Sequence, residues 1–265
     1  MKKLFKGVLN RPDIRWDLAW MVFRRNFLVF MKTWKSNIMF NFIEPVMYLW
    51  AMGFGLGVYV QQVQGLPYVQ YLAPGLVVSS AMFATSYEMT YGSFGRMTHL
   101  QTFQAMVSTP VSMEDVVVGE IMFGSFKSLL YGLVFLLVLL LFDLIRSPWA
   151  LLMPGLLVLC GVVFSIPSMI WTSVAPDYDS FGYYFTLVIT PMFLFSGIFF
   201  PLAGMPPLAQ KLAWLTPLYH AVELSRALVL GRFAINDLLH LAVLLGLAVL
   251  FFRLPVAAVK NRLIQ

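Results

Sequence analysis

An all-α integral membrane protein is predicted by three observations. Between Glu44 and Glu88 the chain runs 43 residues without an Asp, Glu, Lys or Arg. Of 265 residues 60% are hydrophobic and 11% charged, with mean hydropathy +0.81, values at which a water-soluble domain would aggregate. Apolar runs of about 20 residues, enough for a helix to cross a hydrocarbon core about 30 Å thick, recur six times. Residues 1–36 form a basic tail with an amphipathic helix, and residues 37–265 form one six-span domain.

Residues Asn10 to Trp34 come first. Arg15, Asp17, Arg24, Arg25 and Lys32 are spread through them, so they do not read as a crossing. Pro12 suits a first helical turn, and Trp16, Trp20, Phe23, Phe27, Phe30 and Trp34 recur at steps of three and four as one aromatic stripe. Such a helix either lies in the headgroup plane or packs its stripe on the protein's own spans.

The spans are expected at Ile38–Val60, Tyr71–Tyr91, Val116–Phe142, Trp149–Ser173, Phe181–Phe200 and Leu238–Leu254. A tight turn at Gln61, Gln62, Gln64, Gly65 and Pro67 separates the first two. Nine of the eighteen basic residues fall in the first 35 positions, and Arg96, Arg253, Lys260 and Arg262 join them on one side if both termini are cytoplasmic. That asymmetry reports orientation, and no nucleic-acid partner is expected. No cleavable signal peptide is expected, and the single cysteine, Cys160, permits no internal disulfide.

Two connections stand out. The cytoplasmic loop at residues 92–115 has helical potential from Gly95 to Val107 before Pro110 stops it, and a short helix there would face a cytosolic partner. Residues 201–236 carry Pro201, Pro206, Pro207 and Pro217, then an amphipathic run from Leu218 to Leu230 that is too short and too charged to cross. Re-entrant helices before the last span, with Trp214 as an interfacial anchor, are predicted there.

No G-x-x-x-x-G-K-[ST] phosphate loop occurs, and Gly124-Ser125-Phe126-Lys127-Ser128 lacks its spacing, so any ATP would be bound by another chain. Four charges, Glu44, Glu88, Glu120 and Lys127, fall in or near spans, where each costs about 2.5–3.5 kcal/mol near a helix centre. Glu120 and Lys127, seven apart, share a helical face. Glu88, Glu120 and Lys127 form either a network that transmits movement or relays protons, or a structural set paired with Arg96.

Catalytic and metal motifs are missing: His99, His220 and His240 are scattered, with no H-E-x-x-H and no G-x-S-x-G. Asp177 and Asp179 read as capping carboxylates in a loop. His220, Glu223 and Arg226, at steps of three, share a helical face as a headgroup contact or as an exposed ion cluster. Tyr183, Tyr184, Phe185, Phe193, Phe195, Phe199 and Phe200 enrich the fifth span in rings, either as a conduit or as lipid-facing and packed aromatics.

Several segments together resemble the permease subunits of ABC-2 type exporters, most of all the branch that exports nodulation factors, which are lipo-oligosaccharides. The first block is Tyr87-Glu88, Tyr91-Gly92-Ser93-Phe94-Gly95-Arg96-Met97, Thr109-Pro110 and Asp115-Val116-Val117-Val118-Gly119-Glu120, with Lys127 beyond. The second is Phe195-Ser196-Gly197-Ile198-Phe199-Phe200-Pro201, then Pro217 through Leu224, and Arg226. The likeness covers nearly the whole chain and is specific for the family rather than for the cargo.

The resemblance implies a bacterial inner-membrane exporter in which two permease chains, a homodimer, assemble with two cytosolic ATPase subunits that bind the ATP. It makes Arg96 through Met106, including Met97 and Phe103, with the Thr109-Pro110 stop, the coupling helix, and sets Glu88, Glu120 and Lys127 around it. The first and fifth spans would line the path, with Tyr183, Phe185, Phe193, Phe199, His220 and Glu223 along the substrate's route. Related permeases export polysaccharides and hydrophobic drugs. A proton-coupled transporter using Glu44, Glu88 or Glu120, and a lipid-modifying enzyme using His220 or Glu223, are the alternatives from other classes.

Overall fold

A computed structural model describes residues 14–60 and 62–263. The basic tail through Asp13, Pro12 included, and the side chain of Glu44 lie outside the described residues. The first helix, α1, runs Trp16–Trp50, 35 residues, and continues through a π turn at Ala51–Gly55 and a 3-10 turn at Leu56–Val58. The expected separation of a surface helix from a first span near residue 36 is therefore replaced by one helix. Nothing from Trp16 to Glu44 is Gly or Pro, so no residue there withholds a backbone donor or loosens the turn.

The predicted turn, apart from Gln61, which lies outside the described residues, is a two-residue hairpin between strands β1 (Gln62–Val63) and β2 (Leu66–Pro67), the only strands among the described residues. Its central residues Gln64 and Gly65 both have positive φ, 52° and 72°, the geometry of a primed turn that matches strand twist. Helix α2 (Tyr68–Tyr87) follows, extended by π turns at Glu88–Gly92 and Gly95–His99. The left-handed Gln101 (φ 48°) then breaks the chain before the short α3 (Thr102–Val107). The loop helix expected as one piece from Gly95 to Val107 is thus two, with Arg96 and Met97 on the extension of α2.

Helix α4 (Met113–Leu141) opens with a reciprocal cap: the Asp115 amide donates to Ser112 Oγ (3.2 Å) and the Ser112 amide to Asp115 Oδ2 (3.0 Å). A 3-10 turn at Pro148–Leu152 leads into α5 (Met153–Val174). Helix α6 (Ser180–Tyr184), a π turn at Phe185–Ile189 and α7 (Thr190–Phe195) form the fifth helical stretch. It stops five residues short of the expected Phe200, because Gly197 (φ 75°) bends the chain. Two short helices, α8 (Pro207–Trp214) and α9 (Pro217–Leu230), occupy the predicted re-entrant segment, each with Pro in its first turn. Helices α10 (Ile235–Phe251) and α11 (Arg253–Leu263) end the chain, running past the expected Leu254.

Among the described residues three stretches are long and apolar enough to cross a membrane: Met113–Leu141, Pro148–Val174 and Ile235–Leu263. Val46–Val58 and Ser180–Phe195 are shorter apolar helices. Large apolar side chains such as Leu137, Leu151, Leu187, Val249 and Leu250 stand exposed, a surface suited to lipid.

Helix α4 is the hub, packed against α1, α2 and α5. Glycines set that closeness: a Cβ on Gly119 would meet the Ala19 carbonyl of α1 at 2.7 Å, and one on Gly161 of α5 would meet the Ser125 Cα at 2.4 Å. The two ends of the described residues reach the first turn of α4, where the Arg15 amide donates to Asp115 (2.8 Å) and Lys260 Nζ to Glu114 (2.6 Å). We call this the terminal face, with the β-hairpin and α8–α9 at the opposite face.

Replacing Gly161 by Ala pushes a methyl group into backbone and should destabilise the fold by about 1–3 kcal/mol. Gly155→Ala, in the same helix but with open space around it, should be neutral or stabilising. Thermal unfolding of both variants in detergent checks the pair, and equal midpoints would show that α4 and α5 are not packed this closely.

Candidate functional site

Glu120, in the second turn of α4, is completely buried, and a carboxylate there needs donors from every side. Asn26 of α1 donates its Nδ2 to Oε1 (2.7 Å), and Ser93 donates its hydroxyl to Oε2 (2.6 Å). Arg96 closes the set in bidentate fashion, Nε to Oε1 (3.0 Å) and Nη2 to Oε2 (2.5 Å). The same guanidinium reaches Glu88 Oε1 (2.8 Å), whose other oxygen lies 3.5 Å from Lys127 Nζ. Lys127 in turn sits over the Phe30 ring of α1, 4.1 Å from its centroid.

Two carboxylates and two cations thus meet in a set of zero formal charge, which is how such groups persist away from water. Glu88, Glu120 and Lys127 are brought together as the sequence suggested, and the pairing with Arg96 is present. Gly92 makes room for it, since a Cβ there would stand 2.4 Å from Glu88 Oε1. Sequence reasoning missed Asn26 and Ser93. The signal was present for Asn26, a polar residue three after Phe23 and four before Phe30, hence on the buried side of the stripe. That stripe divides: Phe23, Phe27 and Phe30 meet Phe123 or Phe126 of α4 ring to ring at 5.2–6.4 Å, whereas Trp16 and Trp20 are more than half exposed.

The loop residues sort differently from expectation. Met97 and Phe103 are fully buried in a core cluster with Met89, Val116, Met169 and Val259, so they hold the loop rather than face a partner. Arg96 belongs to the charge network. Met106 is half-buried, and Thr109 and Pro110 are exposed, with the Thr109 hydroxyl donating to the Met106 carbonyl (2.6 Å). The outward face of α3 is Gln104, Ala105, Val107 and Ser108. It borders a groove of about 420 Å³ whose other walls are Met113 and Glu114 of α4 and Lys260 and Leu263 of α11.

Rings form a column between α2 and the fifth helical stretch. Tyr178 stacks on Tyr91 (centroids 6.0 Å), Tyr87 on Phe185 (4.3 Å), Phe83 meets Phe193 (5.4 Å), and Phe193 meets Phe199 (5.1 Å). Phe185, Phe193 and Phe199 therefore belong together, whereas Tyr183 is 66% exposed and lies outside the column. Below it, Asp177 accepts from the Ser180 hydroxyl (2.6 Å) and amide (3.0 Å). These bonds hold its carboxyl below the usual range, whereas Asp179, at the N-cap of α6, makes no side-chain cap bond, so one of the two expected capping carboxylates is engaged.

At the opposite face His220, Glu223 and Arg226 are not an exposed ion cluster. His220 is buried, with Nε2 2.8 Å from the Trp214 carbonyl and Nδ1 2.7 Å from His240 Nδ1 of α10. Arg226 is buried and paired with the half-buried Glu223 at 2.6 Å.

Residues 17–230 match the family described as ABC-2 type transporter. The chain is 36% identical to Nodulation protein J of Sinorhizobium fredii NGR234 over the full length of both. It is 38% identical to Nodulation protein J of Rhizobium leguminosarum bv. viciae, over 98% of this chain and all of that protein. It is 25% identical to the inner membrane transport permease YadH of Escherichia coli K12, over 84% of this chain and 85% of that protein.

Glu120→Ala leaves Arg96 buried with Glu88 alone and should cost about 3–5 kcal/mol. Glu114→Ala, which removes an ion pair with a half-exposed lysine, should cost about 1 kcal/mol or less. Denaturant unfolding followed by tryptophan fluorescence separates the two, and similar losses would contradict the central place of the network.

Proposed function

Because the chain belongs to the ABC-2 type transporter family, we propose that it is the membrane-spanning permease of an ATP-driven exporter, working as a dimer with two copies of a separate cytosolic ATPase. The terminal face is cytoplasmic in this reading, the chain crosses the bacterial inner membrane six times, and the cargo is an amphiphile of the lipo-oligosaccharide class. Of the relatives compared, two are Nodulation protein J and one is an inner membrane transport permease, which supports the permease part of this reading.

The observation that carries the reading is the build of the loop at the terminal face. Helix α3 offers Gln104, Val107 and Ser108 outward while its buried Phe103 is set in the same core as Met97, one residue from Arg96. A push on α3 is then delivered through packed side chains to Arg96, and from there to Glu120 on α4 and Asn26 on α1. Closure of the ATPase dimer on ATP would shift the loop and exchange inward-open and outward-open arrangements of the spans.

The column of rings suits passage of such a cargo. Sugar faces and acyl chains both make favourable contact with aromatic surface, without the directional bonds that would hold them in place. The half-exposed Tyr87 and Tyr91 leave one side of the column open, where a second copy would complete the conduit.

Gln104→Asp with Val107→Asp, in vesicles holding the permease and its ATPase, should lower permease-stimulated ATP turnover by about tenfold or more, the loss of roughly 1.4 kcal/mol of coupling. Insertion and thermal stability should be unchanged, whereas Phe103→Asp should fail to fold. Unaltered stimulated turnover in the double variant would remove α3 as the docking element. Transport that persists without ATP and collapses with the proton gradient would replace the ATP-driven reading with a proton-coupled one.

A further inference from the structure

At the opposite face three elements converge on one backbone atom. The carbonyl of Gly197, at the bend that ends the fifth helical stretch, accepts from Arg226 Nη2 of α9 (2.9 Å) and from the Tyr71 hydroxyl of α2 (3.0 Å). The Arg226 guanidinium also lies 4.0 Å from the centroid of the Tyr71 ring and holds Glu223 at 2.6 Å. Ile198, the next residue, is fully buried and rests on Gly75 of α2, where a Cβ would stand 3.1 Å from its Cγ1.

The other end of the fifth stretch is fastened to α5, with Tyr184 Oη 3.0 Å from Ser168 Oγ and Trp171 Nε1 donating to the Ser180 carbonyl (3.2 Å). The π turn at Phe185–Ile189 begins at the residue after Tyr184. From there to Gly197 the stretch meets α2 through the rings of Phe185 and Phe193. A helix fixed at one end, given a weak turn beside the fixed point, supported by slidable rings and fastened by polar bonds at its far end can pivot when the far bonds open.

We propose that Arg226 and Tyr71 form a releasable exit clasp on the Gly197 carbonyl, and that the far end of the fifth stretch swings from α2 about the π turn when cargo leaves. The proposal rests on the permease reading and names two positioning residues for it. The clasp opens without stranding a charge, because Glu223 and the Tyr71 ring stay with the guanidinium after Gly197 departs. Glu223 is the half-buried member of the group, so the released cation keeps its counter-charge where water enters. The carbonyl set free faces the opening path, where water replaces both donors.

The test uses the full chain carrying Cys160→Ala and Ile198→Cys in lipid nanodiscs, alone and with its ATPase, and reads the rate of labelling by a membrane-impermeant maleimide. Labelling should be slow in this background. Tyr71→Phe, which deletes one donor and keeps the ring, should speed it about tenfold, as Arg226→Lys should, and vanadate trapping of nucleotide on the complex should do the same. The native Cys160, kept in a parallel Tyr71→Phe chain, should stay unreactive and so exclude general loosening. An unchanged rate at Ile198→Cys in the Tyr71→Phe chain overturns the clasp whether or not an ATPase is present. Acceleration by Tyr71→Phe without acceleration by trapping, in a complex whose ATP turnover is stimulated, overturns its part in export. Lack of any stimulated turnover overturns the permease reading and leaves the clasp standing on the nanodisc result.

Discussion

A buried carboxylate is the constraint on which this molecule is organised. Glu120 has no access to water, so cations and donors must come to it, and they come from parts of the chain 24 to 94 residues away. Asn26 commits α1 to one rotation against α4, and Arg96 commits the extension of α2 to the same spot. Lys127 and Glu88 balance what remains. The first helix, the loop and the central helix are thereby joined through bonds whose single loss leaves a buried polar group without one of its partners.

Around that centre two kinds of contact divide the work. Between α4, α1 and α5 glycines let backbones approach until a single methyl group would collide, and these helices act as one block. Between α2 and the fifth stretch the contact is made by rings, whose attraction involves no hydrogen bond that must break when one helix moves against the other. The first kind suits an element that carries force and the second an element that yields to it. The polar fastenings at Gly197, at Ser180 and at Tyr184 mark the limits of the yielding part.

Much of this was legible in the sequence, for identifiable reasons. Apolar runs expose the long helices because lipid demands length and apolarity together. The hairpin was marked by Gly65 and Pro67, residues whose backbone preferences are local. Glu88, Glu120 and Lys127 announced themselves by their cost. What depended on tertiary partners was hidden. Phe103 in a short amphipathic helix looks the same whether it faces a partner or its own core. Arg226 looks like an exposed cation until the bend at Gly197 folds back to cover it. The continuity of α1 was hidden by its charges, which suggested a boundary that no Gly or Pro enforces. Asn26 was the missed inference, since one polar residue inside a stripe of rings asks what it bonds.

That unbroken first helix has a consequence beyond packing. Thirty-five residues at about 1.5 Å each give a contour of roughly 52 Å, well above a hydrocarbon layer about 30 Å thick. The excess falls on the half that carries Asp17, Arg24, Arg25, Lys32 and Lys35, so that half extends past the apolar one with Trp16 and Trp20 foremost. Asn26 lies in that charged half, so the bond to Glu120 ties the part of the rod beyond its apolar length directly to the central helix.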